Sequence, residues 1–335
     1  MKGKNLREAD ERRSLTIADI WTQSPSMKRC LKLAELAASS EVPVLVLGES
    51  GVGKTILAQA IHNSSSRQQA QLVSFNSSAI SDTLLESQLF GHEKGAFTGA
   101  NRSVKGKFEQ ADKGTLFLDE IADMSLSAQA KILRAVEYGE FERLGSEKMM
   151  HANARIISAT NVSLRQRIRE GRFREDLYHR LNGLSLIIPP LRERLEDLPA
   201  LISLELKNAS EQSGRHIETI HAEAMQQLLD HDWPGNLREL HHTLRTAALF
   251  CEDGEITPDS LFFQQEWGGA GTTSMAPDRH QTTPVAHSDK LGDVVRSHLM
   301  ATYERCGFNQ VETAKRLGIA RSTLVRHLRE AGQAD

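Results

Sequence analysis

The segment from Gly48 to Thr55 could bind phosphate groups. Its sequence is Gly48-Glu49-Ser50-Gly51-Val52-Gly53-Lys54-Thr55. Glycines let backbone N–H groups curl around phosphates, the lysine reaches the β and γ oxygens, and a threonine hydroxyl can hold Mg²⁺. The apolar run from Val42 to Leu47 precedes this loop, and residues 56–62 suit a helix. Strand, glycine loop and helix in that order are the context that a phosphate-binding loop requires.

Two adjacent carboxylates offer the rest of a phosphoryl-transfer site. Asp119 and Glu120 follow an apolar run that begins at Thr115. At the end of a buried strand, Asp119 would bind Mg²⁺ and Glu120 would polarise the attacking water. Alone, the pattern also fits a buried strand followed by a solvated acidic turn. Together with Lys54, it predicts a site that hydrolyses ATP with Mg²⁺ held by Thr55 and Asp119.

A third motif lies between these two halves and has no role in nucleotide chemistry. It consists of Gly95-Ala96-Phe97-Thr98-Gly99-Ala100. This hexapeptide closely resembles the signature loop of bacterial enhancer-binding proteins, the AAA+ activators of sigma-54 RNA polymerase. Further matches to that family follow in order at Glu86–Glu93, Ala159–Asn161, Phe173–Leu181, Pro189–Arg194 and Trp233–Leu240. The resemblance covers residues 20–265 and implies that the hexapeptide contacts sigma-54.

The resemblance also implies a role for two arginines. Arg174 and Arg180 match the family's trans-acting arginines, which one subunit places against the γ-phosphate of its neighbour's ATP. Such an arginine stabilises transition-state charge. The plainer alternative is a pair of surface ion pairs with Glu175 and Asp176. A trans-acting role would require a homo-oligomeric ring, which in this family is expected to be a hexamer.

Further residues match positions that read the state of the nucleotide. Thr160 and Asn161 resemble sensor I, at a strand end where a polar side chain can report on the γ-phosphate. Arg238 resembles sensor II, which ties the lid to the nucleotide. Asn76 matches the asparagine that holds the catalytic glutamate in check, here Glu120, although a strand-terminating cap would look the same.

Two departures from the family pattern concern nucleotide contacts. Thr55 stands where many members have glutamate, and it can still supply a Mg²⁺ ligand. The segment from Ile20 resembles the family's adenine-side segment, but Trp21 and Thr22 replace a small aliphatic residue and a glycine.

Composition fits a soluble globular protein of two or three domains. The chain has 335 residues, of which 39% are hydrophobic and 25% charged, and a formal net charge of -3. No apolar run approaches a membrane span in length, and Met1 to Arg13 lacks the apolar core of a signal peptide. The three cysteines lack metal-ligand spacing. We therefore expect a cytoplasmic protein with reduced cysteines and no membrane partner.

The patterns divide the chain into five segments. Residues 1–14 form a charged lead, and residues 15–190 alternate strands with helices, which predicts an α/β sheet of largely parallel strands. In residues 191–265 strand signals vanish and helices take over, resembling the lid of AAA+ modules. Residues 266–288 read as a flexible linker, and 289–335 as a DNA-binding domain. Most relatives carry a sensory domain before the motor, so the short lead implies control by a trans-acting regulatory protein.

Specific elements are predicted within these segments. The predicted strands include Leu72–Phe75, Leu116–Leu118 and Arg155–Ala159, and the predicted helices include Ser127–Tyr138, Ala222–Leu229 and Asn236–Phe250. The implied fold is an α/β AAA+ P-loop module with an α-helical lid and a C-terminal all-α helix-turn-helix domain.

The C-terminal segment predicts DNA binding. A short helix is expected to end near Leu317, Gly318 makes the turn, and Ser322 opens a second helix. This arrangement resembles the Fis-type helix-turn-helix, and its basic residues suit contacts with phosphates. The predicted DNA-binding residues are Lys315, Arg316, Arg321, Ser322, Thr323, Arg326 and His327. The alternative is a small helical hairpin that packs on the lid or on a partner.

Together, the motifs predict a sigma-54-dependent transcription activator. It would bind an upstream DNA enhancer site, assemble into a ring, and use ATP hydrolysis to remodel sigma-54 RNA polymerase to the open complex. One alternative is a DNA-binding regulator that keeps the AAA+ fold as an assembly scaffold, but Thr98 and Glu120 are both present. The other is a generic AAA+ remodelling enzyme, against which the hexapeptide and the terminal helix-turn-helix argue.

Overall fold

The computed structural model describes residues 15–78, 81–213, 217, 219–251, 254–263 and 303. The chain separates into two units, Met1–Gly269 and Ala270–Asp335. The predicted lead at 1–14, the linker at 266–288 and the predicted DNA-binding residues between 315 and 327 lie outside the described residues. Among the described helices, none is long and apolar enough to cross a bilayer.

A five-stranded sheet forms the centre of the first unit. The strands of the described chain are β1 (Val44–Leu47), β2 (Leu72–Asn76), β3 (Gly91–His92), β4 (Val104–Lys105), β5 (Thr115–Asp119), β6 (Glu140–Glu142), β7 (Met149–His151), β8 (Arg155–Thr160), β9 (Leu184–Ile187), β10 (Thr219–Ile220) and β11 (Glu255–Ile256). The central sheet has the order β2-β5-β8-β1-β9. Every neighbouring pair in it is parallel, which confirms the predicted sheet.

Helices connect and cover the strands. The described α-helices are α1 (Pro25–Ala38), α2 (Lys54–Asn63), α3 (Asp82–Phe90), α4 (Lys107–Gln110), α5 (Leu126–Tyr138), α6 (Leu164–Arg169), α7 (Glu175–Leu181), α8 (Leu198–Ser213), α9 (Ala222–Asp230) and α10 (Asn236–Phe250). Local chemistry sets their ends. Ser125 caps α5 by accepting a hydrogen bond from the backbone N–H of Ala128, and Gly139 ends it with a φ of 71°.

The inner strands β1, β5 and β8 are buried along almost their whole length, as parallel strands are when helices cover both faces of the sheet. All six residues of β8 are buried. One face packs against a cluster that includes the stacked rings of Phe90 and Phe108, with centroids 5.5 Å apart, and Phe141 beside them. The other face packs against α1 and α2, including Leu57 and Ile61. The two clusters hold the strand ends in fixed positions.

The lid has its own apolar core around Trp233. This side chain is fully buried, and its indole N–H donates to the carbonyl of Leu228 at 3.0 Å. The prediction that strands are absent from residues 191–265 is wrong, because β10 and β11 pair in parallel through two residues each. Two-residue strands are too short to produce an alternating pattern, so the sequence carries no periodic signal for them.

Candidate active site

The carboxyl ends of four parallel strands bring the predicted site residues to one edge of the sheet. β1 leads into Gly48, and β2, β5 and β8 end at Asn76, Asp119 and Thr160. Asn76 and Asp119 are register partners in neighbouring strands. Crevices at the carboxyl ends of parallel strands are where such folds bind ligands.

The glycine-rich loop has a backbone that other residue types could not adopt without strain. Gly51 and Gly53 have φ angles of 80° and 103°. A Cβ atom at Gly51 would lie 2.2 Å from the carbonyl oxygen of Gly235 in the lid, so the close approach also requires glycine. Lys54 is only 6% exposed, and its ammonium group donates to the carbonyls of Gly48 at 2.9 Å and Glu49 at 3.2 Å. A concave loop folded around a buried cation suits a phosphate group.

The two predicted carboxylates lie beside this cation. Oε1 of Glu120 is 3.8 Å from the Nζ atom of Lys54. Burial raises the pKa of Asp119, and the charge of Lys54 opposes that shift. Burial also raises the pKa of Glu120, against the opposing effects of Lys54 and of the backbone N–H of Asn161. A carboxylate with a raised pKa is a better proton acceptor, as a general base requires.

Asn76 does not contact Glu120 through any hydrogen bond of the described residues. Its side-chain oxygen instead accepts from the backbone N–H of Ser78 at 2.8 Å, which is the capping arrangement of the plainer alternative. The next residue, Ser77, holds the carboxylate segment: its hydroxyl donates to the carbonyls of Asp119 at 3.0 Å and Glu120 at 2.6 Å. Sequence reasoning missed Ser77, because a serine after a strand is common and carries no specific signal.

The lid closes one side of a cavity of about 360 Å³ over these residues. Arg238 lines the cavity, and one of its Nη atoms donates to the Ser50 hydroxyl at 2.8 Å. The residues that line it are Ser50, Gly51, Gly53, Lys54, Thr55, Ile56, Asp119, Glu120, Glu205, Leu237, Arg238 and His241. The structure thus brings the predicted loop, carboxylates and lid arginine together.

Four lining residues were not predicted: Ile56, Glu205, Leu237 and His241. Nδ1 of His241 lies 2.6 Å from a carboxylate oxygen of Glu205 on α8. His241 follows Arg238 by three residues on α10, and helix residues three apart share a face, so its place in the site could have been inferred. Glu205 has no comparable signal in the sequence. Thr160 is buried beside the site, and its hydroxyl accepts from the backbone N–H of Val162 at 3.2 Å.

The two predicted trans-acting arginines are not among the cavity-lining residues. Arg174 forms a two-pronged ion pair with Asp176, with N–O distances of 3.0 and 2.6 Å. Arg180 donates to the backbone carbonyl of Glu137 at 3.2 Å. Both arginines are exposed. Within one chain, Arg174 therefore makes the surface ion pair of the plainer alternative, with Asp176 as its partner.

The hexapeptide Gly95–Ala100 forms a turn between β3 and β4, in which Gly95, Thr98 and Gly99 are exposed and Ala100 is buried. The backbone N–H of Gly95 donates to Ala100 at 2.8 Å, and Gly95 and Gly99 have φ angles of 85° and 101°. Thr98 is exposed, whereas the Phe97 ring is half-buried and packs edge-on against His92 with centroids 5.0 Å apart. The hexapeptide is separate from the residues that line the cavity.

The base of this turn is tied to the neighbouring β6–β7 hairpin by Arg143. The guanidinium group donates to Glu93 and Glu109, both at 2.7 Å. These hydrogen bonds lower the pKa of Glu93 and, against its burial, that of Glu109. A Cβ atom at Gly145 would lie 2.8 Å from the Cβ of Ala96, so the two loops are in close contact.

The sheet order, glycine loop, strand-end carboxylates and lid arginine define the class of P-loop ATPases with a helical lid. The chain belongs to the Sigma-54 interaction domain family, whose model matches residues 20–187. The AAA+ ATPase lid domain matches residues 192–275, and the Fis family of bacterial regulatory proteins matches residues 291–330.

Characterised relatives and solved structures agree with this assignment. The Nif-specific regulatory protein of Azotobacter vinelandii is 44% identical over 298 residues, which are 88% of this chain and 55% of that protein. The DNA-binding transcriptional regulator NtrC of Escherichia coli (strain K12) is 39% identical over 331 residues, 94% of this chain and 70% of that protein. The chain spans 55% to 59% of the length of three Nif-specific relatives. The crystal structure of NtrX from Brucella abortus in complex with ADP gives a TM-score of 0.72 at 32% identity, covering 98% of this chain and 73% of that one.

Proposed function

We propose that this chain is an ATP-driven transcription activator that remodels sigma-54 RNA polymerase. The observation that carries the proposal is the cavity in which Lys54, Asp119, Glu120 and Arg238 meet, in the same unit as the hexapeptide Gly95–Ala100 with its exposed Thr98. Family membership supports both halves of the proposal, the motor and its contact with sigma-54.

The residues present fit ATP with a magnesium ion. The positive φ angles of Gly51 and Gly53 shape a loop around the buried ammonium group of Lys54, and Thr55 and Asp119 offer oxygen ligands beside it. Bound Mg²⁺ would neutralise charge on the phosphate oxygens. Lys54 would bind the phosphates, and Glu120 would orient the attacking water and accept its proton, for which its raised pKa is suited.

We place Arg174 and Arg180 in the site of a neighbouring subunit. Neither lines the cavity of its own chain. Both are exposed, Arg174 immediately before α7 and Arg180 within it. A second copy would then complete the site, in a homo-oligomeric ring that is expected to be a hexamer. Thr160 and Asn161 would sense the γ-phosphate, and Asn76 would restrain Glu120 once its hydrogen bond to Ser78 is exchanged.

The remaining parts of the proposal concern partners. Gly95–Ala100 would contact sigma-54, with exposed Thr98 at the contact and Phe97 leaving its packing on His92. The Fis-family segment at residues 291–330 would bind the upstream DNA site, and its basic residues would make binding fall with salt. A cytoplasmic location completes the proposal.

Transcription in vitro from a sigma-54-dependent promoter tests this function. Open complexes should form with ATP and with the wild-type chain, and should not form with a non-hydrolysable ATP analogue or with Glu120→Gln. A sigma-70 promoter in the same reaction serves as the control, because its polymerase needs no remodelling. Equal transcription with ATP and with the analogue would contradict the proposal.

A further inference from the structure

The side chain of Glu49 faces the lid, although its backbone belongs to the phosphate-binding loop. Its two carboxylate oxygens accept from the two Nη atoms of Arg192 at 2.6 and 2.9 Å. The side-chain amide of Asn236 donates to the same carboxylate at 3.1 Å. Arg192 lies in a 3₁₀ turn, Leu191–Glu193, that precedes the lid helices, and Asn236 begins α10. Glu49 thus contacts both the 3₁₀ turn that precedes the lid helices and the first residue of α10.

Asn236 is the central residue of this arrangement. It is completely buried with a φ of 53°, a left-handed conformation that costs free energy and persists only where surrounding contacts fix it. Its Nδ2 atom also donates to the carbonyl of Ser50 at 3.0 Å, and its Oδ1 atom accepts from the backbone N–H of Leu191 at 2.8 Å. The amide therefore joins the glycine loop, the 3₁₀ turn and α10.

The same contacts determine where Arg238 lies. It follows Asn236 by two residues, and its guanidinium group reaches the Ser50 hydroxyl. Gly235 directly precedes Asn236 and is very close to the loop, so that a Cβ atom at Gly51 would collide with the carbonyl oxygen of Gly235. Loss of the bonds to Glu49 would leave only the bonds to Ser50 between the loop and the turn at 235–238, so this turn and Arg238 with it would be held less firmly.

Glu49 keeps its charge over the whole physiological range. Hydrogen bonds from Arg192 and Asn236 lower the pKa of its carboxyl group to about 2. Its side chain and that of Arg192 are 41% and 42% exposed, and exposed ion pairs contribute little to the stability of a fold. What the structure shows for this pair is a direct connection between the loop and the 3₁₀ turn that precedes the lid.

We propose that Glu49 is a positioning residue that latches the lid to the phosphate-binding loop and so holds Arg238 over the nucleotide. The proposal rests on the proposed ATP binding for its functional consequence, whereas the latch itself consists of bonds between residues of this chain. Glu49 would act through Arg192 and Asn236 rather than by touching ATP. Nucleotide release would then require the latch to open.

Two measurements on the full chain test the latch. The first is hydrogen–deuterium exchange of the nucleotide-free chain across residues 233–240, which reports whether the turn stays on the loop. The second is the affinity and dissociation rate of mant-ATP with Mg²⁺. The variants are Glu49→Gln, the charge exchange Glu49→Arg with Arg192→Glu, and Arg238→Ala alone and combined with Glu49→Gln. Glu41→Gln is a matched control, because Glu41 also pairs with an arginine, Arg67, at 2.8 Å. Glu41 lies before β1, whereas Glu49 lies after it.

Glu49→Gln should speed exchange at 233–240 and weaken mant-ATP binding about threefold to tenfold through faster dissociation, the size of an ordinary coupling between sites. The melting temperature should stay unchanged. The charge exchange should recover part of the affinity, and Arg238→Ala should cost less in the Glu49→Gln background than in the wild type, because the two act as one unit. Glu41→Gln should change neither exchange at 233–240 nor affinity.

Unchanged exchange at 233–240 in Glu49→Gln would overturn the latch, as would independent, additive effects of Glu49→Gln and Arg238→Ala. Failure of the wild-type chain to bind mant-ATP would instead refute the proposed ATPase function. In that case the exchange measurement would still decide whether Glu49 holds the lid.

Discussion

The ammonium group of Lys54 lies 3.8 Å from Oε1 of Glu120, so the lysine proposed to bind phosphate and the proposed general base form an ion pair. The lysine also donates to two loop carbonyls, of Gly48 and Glu49. The phosphate oxygens of ATP would compete with these two carbonyls and with Glu120 for the three N–H groups of the Lys54 ammonium. Nucleotide binding would then loosen the hold of Lys54 on Glu120 and free the carboxylate for water.

Substitution of these two residues should separate binding from turnover. Lys54→Ala removes the charge that phosphates would contact, so mant-ATP affinity should fall strongly. Glu120→Gln keeps the shape but cannot accept a proton, so it should bind ATP while turnover falls about 10²- to 10⁴-fold, the usual contribution of a general base. Binding titrations and phosphate-release assays on both variants measure this. An equal loss of affinity in both would contradict the assigned roles.

The parts of the site that could be predicted from the sequence are local. The loop at 48–55 and the carboxylates at 119–120 are contiguous motifs, and α10 begins at Asn236 as predicted, because Trp-Pro-Gly-Asn is a local turn signal. The parallel sheet followed from alternating apolar runs and helical patterns. Strand and helix ends differ from the predicted ones by one or two residues, as in β2, which extends to Asn76.

The parts that could not be predicted depend on distant contacts. Glu49 and Arg192 are 143 residues apart in the chain, and no local pattern indicates that a loop glutamate pairs with the lid. The sequence also could not predict which group the Asn76 side chain contacts, since its position fits both a cap and a restraint on Glu120. In the structure the cap to Ser78 forms. The restraint stays a prediction that a nucleotide-bound state must test.

Thr98→Ala should uncouple ATP hydrolysis from remodelling. Thr98 is exposed in the turn and outside the cavity, so its loss should change the free energy of unfolding by less than about 0.5 kcal/mol and leave ATPase activity within about twofold. Open-complex formation at a sigma-54 promoter should be lost. Thr98→Ser, which keeps the hydroxyl, is the matched control and should retain part of the activity. Normal activation by Thr98→Ala would exclude the proposed contact.

Mixing experiments should reveal whether Arg174 and Arg180 act in trans. Each alanine variant alone should lose about 10³-fold or more in turnover, the lower end of the effect of such an arginine. Mixed with Lys54→Ala, either variant should regain activity, because an interface can then combine an intact cavity with an intact arginine. Arg172→Ala is the control, since Arg172 is exposed and pairs with Glu170 close by. Absence of rescue in rings shown to be mixed would indicate action within one chain.

The carboxyl of Asp119 should destabilise the folded chain at neutral pH. Burial raises its pKa above the ordinary value of 3.8, so the folded state binds this proton more tightly than the unfolded state does. The free energy of unfolding therefore falls as the pH rises from near 3.8 through the raised pKa, and the full cost is present above it. Asp119→Asn removes that cost, and should raise the melting temperature more at pH 8 than at pH 4 while abolishing ATP hydrolysis.

Asp176 provides a comparison of opposite sign. Arg174 lowers the pKa of Asp176, so this carboxylate contributes stability above its ordinary pKa and loses it as the pH falls through the lowered value. Asp176→Asn should therefore lower the melting temperature slightly at pH 8, because the pair is exposed, and have less effect at pH 4. Thermal unfolding of both variants at the two pH values gives the test. A lower melting temperature for Asp119→Asn than for the wild type at pH 8 would mean that attraction to Lys54 outweighs burial, and that the Asp119 carboxylate stabilises the fold.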